Sequence, residues 1–278
     1  MTNILKAIYN ISKLQSFAIV EYYKNSIRIQ QAGDSLEYFI KDAFCSSFSI
    51  NEKSKKEAAY SEYFSYLGNP NNPPDIMIKN GDAVEVKKIE GTNSDIALNS
   101  SYPKNKLYAD SKLITKACRE CEEWVQKDII YSIGTVKKNE LLSLWLVYGD
   151  LYAAEKEVYE RIFKGISNQL QTTQGVEFSP TNELGKVKKI DPLGITDLRV
   201  RGMWGIEHPA KLFVQIPNTA QNILNAVIPE EKYLSFPKED IKNLENNPKI
   251  SINKITVKNP NNPAKTIASV HISIRKET

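Results

Sequence analysis

Pro74-Asp75-Ile76-Met77-Ile78-Lys79-Asn80-Gly81-Asp82-Ala83-Val84-Glu85-Val86-Lys87 reads as a short β-hairpin that turns at Asn80-Gly81. Asn-Gly between two apolar runs is a strong turn signal, since both residues tolerate positive φ. Two registers are open, and they differ in the face each side chain takes. A two-residue loop pairs Lys79 with Asp82 and turns Asp75 away from Glu85. A three-residue loop, Lys79 to Gly81 with Gly81 left-handed, pairs Ile78 with Asp82 and sets Asp75 opposite Glu85. It also puts Ile76, Ile78, Val84 and Val86 on one face and Asp75, Met77, Glu85 and Lys87 on the other. That register separates an apolar face from a chemical one, so it is the one expected.

Facing residues of an antiparallel pair have Cβ atoms about 4.5–5.5 Å apart, close enough for Asp75 and Glu85 to share one Mg²⁺. Such an ion lowers the pKa of a bound water and neutralises charge developing on a phosphate. Lys87, two residues beyond Glu85, projects from the same face and could orient the water or steady a phosphorane-like transition state. Two carboxylates and one ammonium are the minimum equipment for hydrolysing a phosphodiester. The plainer alternative is an exposed hairpin face with ordinary charges, because short motifs of this kind recur by chance.

Glu37 has two readings. It could point from its helix toward the metal site, or Asp34-x-x-Glu37 could be an N-terminal capping box. His208 and His271 have no matching Ser or Cys constellation, so triad chemistry has no support.

The 278 residues suffice for one large domain or two small ones, and 41% hydrophobic with 25% charged residues is ordinary for a globular protein. A net charge of +4 permits a polyanionic partner without requiring one. No apolar run is long enough to cross a bilayer, and the N-terminus lacks a signal-peptide layout, so a cytoplasmic protein is expected. Cys45, Cys118 and Cys121 make no disulfide framework. Ile114, Cys118, Cys121 and Val125 share a helical stripe, which favours buried thiols over zinc or redox chemistry.

The element order predicts an α/β fold with a mixed central β-sheet flanked by helices. Ile4, Ile8, Ile11 and Leu14 recur at helical spacing. Helices are expected over about 34–48, 111–126 and 155–170, and strands over 128–136 and 143–148. Leu144-Trp145-Leu146-Val147 is apolar on both faces, as a central strand would be. Residues 1–171 form the expected core, and 172–278 a β-rich C-terminal elaboration across a soft boundary. Strands are expected there at 198–203, 211–216, 249–257 and 266–275, the last two joined as a hairpin by Asn259-Pro260-Asn261-Asn262-Pro263.

Two regions suit contact with DNA. Ser101, Lys104 and Lys106 lie in a loop shortly after the Glu85 strand, within reach of phosphates or base edges. Arg199 and Arg201 share a strand face, and arginine pairs bidentately with guanine or positions a phosphate. For each of these residues the plainer reading is a solvated surface. Trp204 and His208 read better as packing residues.

Pro74-Asp75 with Glu85-Val86-Lys87 matches the PD-(D/E)xK nuclease pattern. Together with Gly33-Asp34-Ser35-Leu36-Glu37-Tyr38-Phe39-Ile40-Lys41-Asp42, Leu98-Asn99-Ser100-Ser101-Tyr102-Pro103-Lys104-Asn105-Lys106-Leu107-Tyr108 and Leu198-Arg199-Val200-Arg201-Gly202-Met203-Trp204, it resembles the NgoPII-type family of type II restriction endonucleases over most of the chain. The resemblance implies a PD-(D/E)xK nuclease core and Mg²⁺-dependent cleavage of double-stranded DNA at a short palindrome, GGCC, with a cognate methyltransferase protecting host DNA. It carries over Asp75, Glu85 and Lys87 as catalytic residues and adds Glu37. A two-fold palindrome is naturally read by a homodimer. The competing expectations are a repair or recombination nuclease on the same core, or a DNA-binding module without catalysis.

Overall fold

Asn3 caps the first helix, α1 (Ile4–Ser12), by accepting a hydrogen bond from the Lys6 N–H, and Ile4, Leu5, Ile8 and Ile11 bury one face of it. The computed structural model describes residues 1–27 and 32–276. Three more helices follow: α2 (Ile19–Ile27), α3 (Ala32–Cys45) and α4 (Lys53–Tyr63). Leu36, Phe39, Ile40, Ala43 and Phe44 of α3 enter the core beside α1, at the spacing that an amphipathic helix requires. A fully buried ion pair, Lys56 with Asp42, ties α4 to α3. Asp42 also accepts hydrogen bonds from the hydroxyls of Tyr23, Tyr60 and Ser47, each at 2.6 Å.

The chain then enters strands: β1 (Phe64–Tyr66), β2 (Ile76–Ile78), β3 (Ala83–Ile89), β4 (Ile96–Asn99) and β5 (Lys106–Tyr108). After α5 (Lys116–Glu120) come β6 (Gln126–Lys137) and β7 (Glu140–Tyr148), then α6 (Lys156–Gln171). The remainder holds β8 (Glu177–Phe178), β9 (Gly185–Lys188), β10 (Leu198–Val200), β11 (Trp204–Ile206), α7 (Pro209–Leu212) and β12 (Asn222–Pro229). It ends with α8 (Glu230–Ser235), α9 (Lys238–Glu245), β13 (Ile250–Asn259) and β14 (Asn262–Arg275).

Among the described residues nine strands form a mixed central sheet, ordered β1-β2-β3-β6-β7-β12-β14-β13 with β5 beside β6. β3 runs parallel to β6, and β7 parallel to β12, while β6 and β7 form an antiparallel hairpin. Helices α1 to α3 cover one face. Leu98, Leu107, Ile114, Leu151 and Phe213 cover the other, which explains why Leu144 to Val147 of central β7 is apolar on both sides. The α/β class with a mixed sheet between helices is therefore what the chain adopts.

Several local expectations give way to tertiary pairing. The helix expected over 111–126 shrinks to α5, because β6 pairs with β5 from Gln126 onward and Val125 is left 82% exposed. Cys118 is buried and Cys121 half-buried, both against the Met77 sulfur. The strand expected at 211–216 is instead opened by α7, which Pro209 starts and His208 caps. β12, not anticipated, inserts between β7 and β14. The C-terminal strands thus divide: β8 to β10 form a small separate sheet, whereas β12 to β14 extend the central one across residue 172.

Removing one partner of a buried ion pair strands the other charge, a cost of about 3–5 kcal/mol. Asp42→Ala should therefore lower unfolding free energy by about that amount in a denaturant titration. A loss below about 1 kcal/mol would mean that the Asp42 network does not anchor α3.

Candidate active site

The β2–β3 hairpin adopts the three-residue loop. Ile76 faces Val84 and Met77 faces Ala83, while the Ile78 N–H bonds to Asp82 O at 3.0 Å and the Asp75 N–H to Val84 O at 3.1 Å. Gly81 closes the turn, its N–H reaching Ile78 O at 3.0 Å. The left-handed residue is Asn80 (φ 54°), not Gly81, since asparagine is among the few residues that accept this region readily. The tip is clamped from outside. Lys127 Nζ donates to Gly81 O at 2.6 Å and pairs with Glu122, whose Oε2 accepts the Asn80 N–H at 3.1 Å.

Ile76, Ile78 and Val84 pack under the helical layer, as that register requires. The opposite face is mixed: Met77, Ala83 and Ile89 belong to the second core cluster, and the charged groups sit among them. Asp75 Oδ2 accepts the Val86 N–H at 2.6 Å, which fixes its carboxylate across the strand pair. Glu85, 9% exposed, pairs through Oε1 with Lys87 Nζ at 2.6 Å. Its other oxygen, Oε2, is buried without a hydrogen-bond partner.

Electrostatics show how closely these groups are gathered. Burial, reinforced by the charge of Glu85, pushes the Asp75 carboxyl up to about 7; Lys87 and the Val86 N–H oppose the shift, and Glu37 adds to it. Burial works to lower the Lys87 pKa, yet Glu85, Asp75 and Glu37 together hold it above the usual lysine value. Glu37 therefore acts on the same centre from α3, with its Oε1 bound by Lys41 Nζ at 2.5 Å. The Asp34 side chain that a capping box would use lies outside the described residues.

Two carboxylates, one with a buried unpartnered oxygen, fit a hard divalent cation that keeps several of its waters. Among the described residues no group of three or more His, Cys, Asp or Glu side chains is placed to hold a metal ion, so the fit rests on Asp75 and Glu85 alone. This donor set suits magnesium better than a structural zinc.

The outer residues separate. Lys104 is 7% exposed, with its ammonium on Ser101 Oγ and on Tyr102 O at 3.2 Å. Lys106 bridges Asp128 at 2.5 Å and Asp150 at 2.6 Å. Asp128 continues through Lys232 to Asp82 on the hairpin. Arg199 in β10 and Arg201 just past its end both clasp Glu183, in the connection between β8 and β9, and stay 55% and 54% exposed. His208 and Trp204 pack: His208 lies edge-on to Trp145, and Trp204 meets Tyr102 and Tyr159.

Two supporting residues escape sequence reasoning. Tyr131 lies beside Glu85 in the parallel register and exchanges hydrogen bonds with the Lys104 backbone. Gly68 (φ 79°) lies so close to the Asp75 backbone that a methyl group there would meet Asp75 O at 2.5 Å. A glycine before a proline-rich loop is readable as a turn, but its nearness to Asp75 exists only in three dimensions.

A family model described as NgoPII restriction endonuclease matches residues 2–258. The type II restriction enzyme NgoPII of Neisseria gonorrhoeae is 46% identical over 267 residues, 95% of this chain and 96% of that protein. No solved structure matches the chain.

Gly68→Ala combines a strained φ with a backbone clash, so it should cost about 1–3 kcal/mol or more in a denaturant titration; a neutral effect would mean that the loop yields freely. The raised Asp75 pKa has a definite sign. Between the ordinary value of 3.8 and about 7, folded metal-free protein holds a proton that the unfolded chain has released. This stabilising contribution is complete below the lower value and is lost as pH rises through the upper one. Melting temperatures of metal-free protein should therefore fall more between pH 5 and pH 8 in the wild type than in Asp75→Asn, and equal falls would refute the shift.

Proposed function

The chain belongs to the NgoPII restriction endonuclease family and is a type II site-specific deoxyribonuclease; from that premise we propose that it makes Mg²⁺-dependent double-strand cuts at a short palindrome, with GGCC as the target. The observation that carries this reading is the Asp75–Glu85 pair with its unpartnered Glu85 Oε2, set beside the Lys87 ammonium.

Asp75 and Glu85 would hold the ion. When bound, Mg²⁺ supplies Lewis-acid activation of water and offsets charge gathering on the phosphate. The Val86 N–H keeps the Asp75 carboxylate aimed across the hairpin, so its orientation is prepared before substrate arrives. Lys87 stays protonated in the field of three carboxylates and directs a donor toward the attacking water or the phosphate oxygens. Water attacks phosphorus in line and the P–O3′ bond breaks, leaving 5′-phosphate and 3′-hydroxyl ends. Glu37 adds an outer carboxylate that deepens the negative field.

The proposed DNA contacts are Ser101, Lys104 and Lys106 near the site, and Arg199 and Arg201 within the 172–278 elaboration, where recognition and dimer contacts are also assigned. A homodimer would place one such centre on each strand of a palindrome. A cognate methyltransferase would protect host DNA in the cytoplasm. Among the described residues no helix is long and apolar enough to cross a membrane.

Plasmid digestion with Mg²⁺ should give discrete, reproducible fragments, and the sequenced ends on the two sides of each cut should join to give GGCC. Asp75→Ala and Lys87→Ala should each abolish cutting while retaining specific binding in a gel-shift assay. Wild-type cleavage by either variant would refute the site assignment.

A further inference from the structure

Four lysines are buried among the described residues: Lys41, Lys56, Lys104 and Lys127. Three are matched by carboxylates, Lys41 by Glu37, Lys56 by Asp42 and Lys127 by Glu122. Lys104 has no carboxylate within 4 Å among the described residues, and its ammonium rests on two neutral acceptors, Ser101 Oγ and Tyr102 O. An ammonium carries three donors, so one donor is left over, and the charge meets only the face of the Tyr102 ring, 5.2 Å from its centroid, in place of a counter-ion. Burying an ammonium without a counter-ion is costly, and such groups are normally paired.

The backbone around Lys104 is built to hold it in place. Its N–H donates to the Tyr131 hydroxyl at 2.6 Å, and that hydroxyl donates back to Lys104 O at 3.2 Å. Tyr131 is the β6 neighbour of Glu85. Beneath the loop, a methyl group at Gly149 would lie 2.6 Å from Lys104 O and collide with Asn105 O as well, so only glycine lets the loop sit this low. The side chain lies in the combined field of Glu85 and Lys87. It also lines a cavity of about 430 Å³ shared with Tyr102, Lys106, Lys156, Phe163 and Trp204.

The geometry points to Lys104 as a built-in phosphate receptor of the cleavage centre, its missing counter-ion being a non-bridging oxygen of the phosphodiester that Asp75, Glu85 and Lys87 act upon. This rests on the nuclease reading of that centre and assigns within it a second cation, distinct from Lys87 because no carboxylate restrains it. DNA entering the site would bring the anion, and the ammonium would shift from its neutral acceptors onto the phosphate. The positive charge is already desolvated and fixed when the substrate arrives, the condition under which it best stabilises charge growing on the phosphate.

The test uses Lys104→Met, which keeps the length of the side chain and removes the charge. A structural lysine, once removed, would lower thermal stability; an uncompensated buried ammonium replaced by an apolar chain should leave the melting temperature unchanged or raised. Single-turnover cleavage of a duplex carrying the target, at saturating enzyme with Mg²⁺, should slow by about 100-fold. Binding of the same duplex, compared between Asp75→Asn and the Asp75→Asn, Lys104→Met double variant without metal, should lose about 0.9 from its salt slope, the amount expected for one phosphate contact. Lys104→Arg should recover the slope. Wild-type cleavage by Lys104→Met, an unchanged slope, or a lowered melting temperature would overturn the proposal while leaving the nuclease reading intact. Failure of the wild type to cut at a discrete site would instead remove the reading on which it rests.

Discussion

Two carboxylates held on the same side of a strand pair repel each other, and the surrounding structure is arranged to withstand that repulsion. Asp75 is fixed by the Val86 N–H, and Glu85 by Lys87 at 2.6 Å. Each restraint acts on one oxygen of its carboxylate, which leaves Glu85 Oε2 buried and unsatisfied. A buried acceptor without a partner is costly unless a ligand meets it. The residual negative field, raised further by Glu37, is what a divalent cation would neutralise.

The rest of the fold serves this pair by removing freedom from the hairpin that bears it. Lys127 and Glu122 grip its tip, Gly68 lies against its entry, and β6 pairs along the full return strand. On the covered side, Ile76, Ile78 and Val84 enter the same core as α1 and α3, so a slip of one residue would drive charges into that core. An ion-pair chain from Asp82 through Lys232, Asp128 and Lys106 to Asp150 joins the hairpin to α8 and to the loop after β7. Function and folding thus draw on one register.

Much of this register is legible in the sequence, because Asn80-Gly81 marks the turn and alternation then assigns every face. Strong periodicity also carries α1, α3 and the β6–β7 pair. The reading fails where partners distant in sequence decide. Ile114 to Val125 has helical spacing, yet β5 claims Gln126 and cuts the helix to five residues. Asn222 to Pro229 carries no turn signal tying it to β7, some eighty residues earlier in the chain, and so β12 passes unnoticed. At the site, Asp75, Glu85 and Lys87 follow from local spacing. Tyr131 beside Glu85, and the want of a carboxylate within 4 Å of Lys104 among the described residues, arise only when the loop folds over β6.

The claim beneath all of this is that Asp75 and Glu85 bind one divalent cation together. Soaking crystals of the protein with Mn²⁺ and locating the metal by anomalous scattering tests it directly. A shared site should show a single peak between the two carboxylates, in contact with Glu85 Oε2 and an Asp75 oxygen. A peak on only one of them, or a well-ordered hairpin with manganese bound elsewhere, would contradict it.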